Sequence, residues 1–396
     1  MSKGSGVSSQ HRRGVEVCAL LLLSIVTLAA AVATSTAHAG TFGAAVVVAT
    51  HDSSENAKAG ADFVGDGAGD QEEINAAIRS LPDVGGTVLL AEGTYDIRKV
   101  EGKLGGVLIE RSNVVLAGQG SSTKLIQAPH QNTNVVRIIG SDVGHITIRD
   151  LYVDANRDVN AEGTGDPNIS HDRFEYCGIK AYYQEPGGPG GIPNHNITIR
   201  NCYVLDAHRL GIMLEGYNMK VLNNHLGNAN SDSVEILTGP GEIRGNYVEI
   251  TGRTHVAIGT DRANSIIMAN NIVHVREGGD LDIGFRSWAE SERHVIADNV
   301  VTVDPGGRCK LAMDIRGVGA SVTGNNVHTA GGNEPLRLAI TGGNTVVTGN
   351  LLENVVIEVN DKTGLDKPIL VRDNIMENSS IDHVKGNLVT SGAMQP

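Results

Sequence analysis

A right-handed, single-stranded parallel β-helix with an N-terminal capping helix is the fold class this sequence predicts, and three observations predict it. Asparagines followed by two mostly apolar residues recur at near-regular intervals. Short β-branched runs, bounded by Gly, Asn or Asp, fill each interval. Fifty glycines stand against four Phe, eight Tyr and one Trp, a composition for many tight turns around a narrow aliphatic core.

Taken in chain order, the first element is not part of the fold. Arg12 and Arg13 precede an apolar run from Val17 to Ala33, and Ala37-His38-Ala39 follows. Basic, apolar and small-x-small segments in that order make a secretory signal peptide over residues 1–39. The run is short for a membrane span and leads directly into the cleavage motif. The mature protein is therefore expected outside the cytoplasm, extracellular or periplasmic, with no membrane anchor after cleavage. Cleavage removes Lys3, Arg12, Arg13 and Glu16, so a net charge of −13 loses three cations and one acid and becomes −15. An acidic surface repels phosphate backbones, which argues against nucleic acid as a partner. Three cysteines remain, Cys177, Cys202 and Cys309. An odd, sparse set is no disulfide framework and has no zinc spacing; Cys177 and Cys202 are either a pair or buried free thiols.

Residues 40–84 form an N-terminal segment with the capping helix. Asp70 stands at an N-cap position, and Ile74, Ala77, Ile78 and Leu81 then share one helical face. A solenoid needs a cover over its first open coil, and an amphipathic helix supplies one.

The β-helix itself is expected over 85–390. The asparagines at 201, 224, 246, 271, 299, 326, 350, 374 and 387 are separated by 23, 22, 25, 28, 27, 24, 24 and 13 residues. Ile146-Thr-Ile-Arg-Asp150-Leu-Tyr-Val repeats Ile197-Thr-Ile-Arg-Asn201-Cys-Tyr-Val almost letter for letter. A coil of that length does not bury its own apolar side, but stacked coils do. Asn tolerates the left-handed backbone of a sharp bend, and stacked amides bond from coil to coil. A leucine-rich solenoid and a β-propeller lack their signatures here, and a left-handed hexapeptide helix needs a shorter period.

The segment Asp62-Phe-Val-Gly-Asp-Gly-Ala-Gly-Asp70, the helix, Gly85-Gly-Thr-Val-Leu-Leu-Ala-Glu-Gly-Thr-Tyr95 and Val114-Val-Leu-Ala-Gly-Gln-Gly120 resemble the opening of pectate-lyase-superfamily and polygalacturonase-like β-helix proteins. The resemblance spans most of 60–390. It implies the fold and a carbohydrate-related role, but not a reaction, because hydrolases, lyases, epimerases and non-catalytic proteins share that fold.

Between Asp150 and Asn201 the interval widens to 51 residues. It holds Arg157–Asp172 and the Gly/Pro-rich Gln184–Pro193, an insertion expected to wall a binding face. Within it, Asp166-Pro-Asn-Ile-Ser-His171-Asp172 resembles, in interrupted form, the Asp-Pro-His-Asp motif of mannuronan epimerases and carries no weight.

Stacking equivalent strands reads the outer face. Aligned on alternating apolar residues, one outward column is Lys180, Met213, Glu235, Ala257, Asp282, Asp314, Ala339; the other is Gly178, Gly211, Ser233, His255, Asp280, Ala312, Arg337. Crowded carboxylates repel, so one holds a proton at raised pH unless a cation neutralises the set. A protonated and an ionised carboxyl are the working pair of a glycosidase. Asp280 and Asp282 are the expected acid/base pair, with Asp314 modulating them. The triple aspartate looks like that of polygalacturonase-type hydrolases, although their Asn-Thr-Asp, Asp-Asp and Gly-His-Gly signatures are missing. His255, Lys310, Arg316, Arg286, Trp288, His208 and Arg209 are the expected substrate contacts. Trp288 and the tyrosines 182, 183 and 217 are candidates to stack on sugar rings.

The favoured function is therefore an exported enzyme that cleaves glycosidic bonds of a polysaccharide, hydrolase-type, needing no cofactor. The same residues support a calcium-assisted lyase or epimerase on a uronate-containing polysaccharide. Glu235, Asp282 and Asp314 then hold Ca2+, and Lys310 or Arg286 is the base. A non-catalytic carbohydrate-binding or cell-surface β-helix is the third reading, since outward columns of solenoids are polar anyway.

Overall fold

The computed structural model describes Met1 and residues 44–160, 176–183, 191–330, 333–364 and 367–391. The predicted signal peptide beyond Met1, the Asp166–Asp172 motif and much of the Gly/Pro-rich insertion lie outside the described residues. Among those described, no helix is long and apolar enough to cross a membrane.

Residues from Ala44 onward form a parallel β-solenoid. One ladder, the site face below, runs Gly105–Ile109, Asn134–Ile138, Ile179–Ala181, Ile212–Tyr217, Asp232–Thr238, Arg253–Asp261, Asp280–Ser287, Arg308–Ile315, Leu336–Ile340, Val355–Asn360 and Ser380–Lys385, each strand pairing with the next in parallel. A second ladder begins with Ala45–Ala49 against Gly86–Leu90 and ends at Asn387–Ser391. The third is an 11-stranded sheet from Gly93–Ile97 to Ile375–Glu377. Coil repetition thus turns a sequence period of about two dozen residues into three walls around one core.

That core is Val, Ile, Leu and Ala. Ile146, Ile148, Ile197 and Ile199 are buried on alternate positions of strands whose other residues face out. Cys177 and Cys202 are both buried and neither forms a disulfide, so the thiol reading holds and the pairing does not.

The asparagine repeat divides into two jobs that the sequence reading gave to one residue. Asn224, Asn246, Asn271, Asn299, Asn325, Asn350 and Asn374 are buried, and each Nδ2 donates to the Oδ1 of the next at 2.8–3.0 Å. The left-handed bend is made by the residue before: Asn223, Gly245, Asn270, Asp298, Gly324, Gly349 and Asp373 all have positive φ. Asn325 therefore replaces the expected Asn326. Asn201 is a bend residue, and Cys202 takes the ladder position, its N–H donating to Asn224 Oδ1 at 2.9 Å. Asn387 merely opens the last strand. Buried amides must bond somewhere, and a neighbour's amide one coil away is the partner a solenoid provides.

The helix forms over Gln71–Ser80 with Ile74, Ala77, Ile78 and the following Leu81 buried, as the spacing predicts. Asp70 sits at its N-cap but makes no side-chain cap bond. Its carboxylate instead accepts from Gly67 N–H, Asp96 N–H and Thr50 Oγ1 at 2.9, 2.9 and 3.0 Å, tying the loop to the first coils. Asn75 pairs with the edge of Gly105–Ile109, donating to Gly106 O at 2.8 Å and accepting from Leu108 N–H at 2.7 Å.

Candidate active site

The register of the site face departs from the predicted columns at two strands. Lys180, Met213 and Glu235 align as expected, but Glu235 faces Gly259 and Gly259 faces Arg286, which in turn faces Asp314 and then Ala339. Gly259 thus stands where Ala257 was expected, and Arg286 where Asp282 was. Strands Arg253–Asp261 and Asp280–Ser287 are long, and an alternating pattern fits a long strand equally well after any two-residue slip. Asp282 and Asp314 are consequently not neighbours. They sit four positions apart along their strands, roughly 13 Å.

What the true register brings together is a different pair of carboxyls. Arg286 reaches over the rung of Gly259, and its Nη2 donates to Glu235 Oε1 at 2.8 Å and to Asp232 Oδ2 at 2.7 Å. Because both oxygens touch one nitrogen, they lie no farther apart than the sum of those two bonds. Asp232 is 1% exposed, Glu235 4% and Arg286 7%, so three ionisable groups share a site nearly sealed from water. Burial, and then the Asp232 charge, push the Glu235 carboxyl up to about 8 against the pull of Arg286. Ser231 Oγ donates to Asp232 Oδ1 at 3.0 Å. Two buried polar atoms beside the pair, Ser233 Oγ and Arg286 Nε, have no hydrogen-bond partner among the described residues.

Trp288 follows directly after the strand that carries Arg286. The Arg286 and Arg316 guanidiniums lie 5.0 and 4.2 Å from its ring centroid. Arg316 also bonds Asp314 Oδ2 through Nε at 2.9 Å and Nη2 at 2.6 Å, so Asp314 orients Arg316 rather than tuning Asp282. On the other side, Lys180 is buried with its Nζ 5.3 Å from the Tyr182 ring, and the Arg137 guanidinium is 5.9 Å from the same ring. His208 and Arg209 are buried just before Leu210; burial first, then Arg157 and Arg209, hold the His208 imidazole below its ordinary value.

Asp282 belongs to a second cluster. Its carboxylate bonds Arg253 and Lys310 and accepts from His255 Nδ1 at 2.8 Å. Burial works to raise its proton affinity, but the hydrogen bonds from Arg253, Lys310 and His255 outweigh it and hold the carboxyl well below the usual range. Asp280 lies 3.6 Å from Arg253 Nε and 3.8 Å from Arg308 Nε, at the strand's start. A group so firmly ionised is a poor proton donor, so the expected Asp280/Asp282 acid/base pair is not what this geometry builds. His255, Asp282, Arg308, Lys310, Leu336 and Arg337 line a groove of about 960 Å3. A neighbouring groove of about 530 Å3 is lined by Asp314, Arg316, Arg337, Glu358 and Lys362, with Arg337 and Glu358 in contact.

The proposed calcium ligands do not converge. Glu235 bonds Arg286, Asp314 bonds Arg316, and Asp282 is held by three basic groups. Among the described residues no set of three or more His, Cys, Asp or Glu is arranged to hold a metal. These residues therefore do not fit the cage.

Sequence reading missed Asp232, Gly259, Ser233 as a site group, and Arg308 and Arg337 as groove cations. Asp232 was hidden by parity, which assigns it inward with Val234; its carboxylate nonetheless lies against Gly259. The one available signal was Asp232-Ser-Val-Glu235 itself, two acids within one short strand.

No protein-family model matches the chain, and no curated protein matches it in sequence. Among solved structures, the A-module of an Azotobacter vinelandii mannuronan C-5 epimerase superposes with a TM-score of 0.58 at 20% identity, covering 83% of this chain and 97% of that one. The shared fold is a parallel β-helix. A DFA-IIIase from Arthrobacter chlorophenolicus A6, solved in complex with DFA-III, gives 0.51 at 13% identity over 87% and 86% of the two chains. At these identities the likeness is one of fold.

Proposed function

We propose that this protein is an exported polysaccharide-active enzyme that cleaves glycosidic bonds, with Glu235 as proton donor and Asp232 as its partner carboxylate. One observation carries the reading: two carboxyls bonded to the same Arg286 nitrogen. Retaining glycosidases place their carboxyls about 5–5.5 Å apart and inverting ones roughly 6.5–9.5 Å. The shared nitrogen fits the closer class. Glu235, protonated at neutral pH, gives its proton to the glycosidic oxygen as the C–O bond breaks. Asp232 forms a bond to the anomeric carbon. Water then attacks that carbon, Glu235 takes the water's proton, and Asp232 leaves. Trp288 stacks on a sugar ring, and the two grooves receive the continuing chain. That solenoid neighbours act on mannuronan or bind DFA-III supports a carbohydrate substrate.

A second reading rests on His255. Asp282 fixes its Nδ1, leaving Nε2 for proton transfer in a groove with Lys310, Arg308 and Arg337 to hold a uronate carboxylate. That arrangement suits elimination or epimerisation on an acidic glycan.

The test is a panel of neutral and acidic polysaccharides incubated with the wild type, Glu235→Gln and His255→Ala. New reducing ends that vanish in Glu235→Gln, with the anomeric configuration retained, support the first reading. Ultraviolet-absorbing unsaturated ends or epimerised residues, lost in His255→Ala and kept in Glu235→Gln, support the second and overturn the first. Full activity in Glu235→Gln on a responsive substrate removes the carboxyl pair from the chemistry.

A further inference from the structure

We infer that Gly259 is a positioning residue for the Asp232–Glu235–Arg286 centre, its missing side chain being the space in which that bridge is made. The inference rests on the reading of the carboxyl pair just given. Glu235, Gly259 and Arg286 occupy successive rungs, so Glu235 and Arg286 are separated by two strand spacings, roughly 9.6 Å. To reach Glu235, the Arg286 side chain must lie across the rung between. A Cβ built on Gly259 stands 2.6 Å from Asp232 Oδ2 and 3.3 Å from Arg286 Nη2, the two atoms of one hydrogen bond.

Backbone conformation does not explain the glycine. Gly259 is absent from the positive-φ positions, and its strand neighbours Ala257, Ile258 and Thr260 carry side chains without difficulty. Other positions in the same column are Met213 and Ala339, so the sheet itself does not demand a glycine there. The space is demanded by the carboxylate and guanidinium that fill it. Asp232 is the group that must give way, because its oxygen is closer and Arg286 retains its bond to Glu235. A methyl at 259 therefore removes the partner carboxylate from its place while leaving every side chain of the centre present.

The experiment compares Gly259→Ala, Asp232→Asn, Asp232→Ser and Gly259→Ala/Asp232→Ser on the responsive polysaccharide, with crystal structures of the first and last. Gly259→Ala is expected to lower kcat at least 100-fold with KM within about threefold of wild type, as Asp232→Asn does, with the Asp232–Arg286 bond broken in the crystal. In the Asp232→Ser background the alanine is expected to cost nothing further, since the clashing oxygen is gone. Should Gly259→Ala fail to fold, Gly259→Ala/Asp232→Ser is expected to fold, and its failure to do so overturns the inference. Wild-type kcat in Gly259→Ala, or an intact Asp232–Arg286 bond, overturns it while the carboxyl pair stands, provided Asp232→Asn is impaired. Full activity in Asp232→Asn overturns the carboxyl-pair reading and this inference with it.

Discussion

Two acidic clusters lie on one face of the solenoid, built from the same chemistry and set to opposite states. At Glu235, two carboxyls share one guanidinium nitrogen under nearly complete burial, and the surplus negative charge is relieved by keeping a proton. At Asp282, a single carboxylate meets Arg253, Lys310 and His255, whose flexible chains are partly in solvent, and the proton is expelled. Burial and the ratio of acids to bases decide together, not the presence of either charge alone. A column of aspartates in a sequence is thus no measure of catalytic potential until the cations opposite are known.

The strongest way to break this contrast is to remove the titrating group on each side. Glu235→Gln is expected to lower kcat by roughly 10²–10⁴-fold, the usual contribution of a general acid, with the melting temperature unchanged or raised. Asp282→Asn is expected to do the reverse, costing about 1–3 kcal/mol of stability in denaturant titration because Arg253 and Lys310 lose their common partner. Equal kinetic damage from both variants would mean the clusters do not differ as described.

Stability against pH sharpens the comparison, because the linkage has opposite signs. Glu235 has a folded proton affinity raised from 4.5 to about 8, so its stabilising contribution is complete below pH 4.5 and is lost as pH rises towards 8. Asp282 is depressed below its ordinary 3.8, so its contribution is present above that value and lost as pH falls through the folded one. Melting curves across the pH range are expected to lose their decline between pH 4.5 and about 8 in Glu235→Gln and their acid decline in Asp282→Asn. The smallest effect is expected at Trp288. Replacing it with Leu removes a ring shared by Arg286 and Arg316 and is expected to weaken oligosaccharide binding by about 1 kcal/mol in calorimetry, with kcat nearly unchanged.

The sequence displays the solenoid openly and the site only in part, for a physical reason. Stacking coils requires buried aliphatics and a bend at every turn, so Ile146, Ile197 and the asparagines recur with a period anyone can count. Register along a strand has no such marker. The alternation in Thr254–Ile258 continues through Ser287 on the next coil, and a slip of two leaves every apolar residue inside. The sequence columns therefore align His255 with Asp280, two positions from its true neighbour Asp282, and give Arg286 a substrate contact and Glu235 a calcium, while Asp232 goes unnoticed. Asp232 was invisible because side-chain reach, not parity, carries it to Arg286. Gly259 was invisible because a glycine's role is the space it leaves.

The central claim is that the carboxyl at 235 keeps its proton at neutral pH because it is buried and because a second carboxyl, Asp232, shares the Arg286 nitrogen it bonds. Carbon-13 NMR of the glutamate side-chain carboxyls, with Glu235 assigned by its loss in Glu235→Gln, measures this directly. A titration midpoint near 8 that falls in Asp232→Asn agrees with the account. A midpoint at the ordinary glutamate value of 4.5, unmoved by Asp232→Asn, would contradict it.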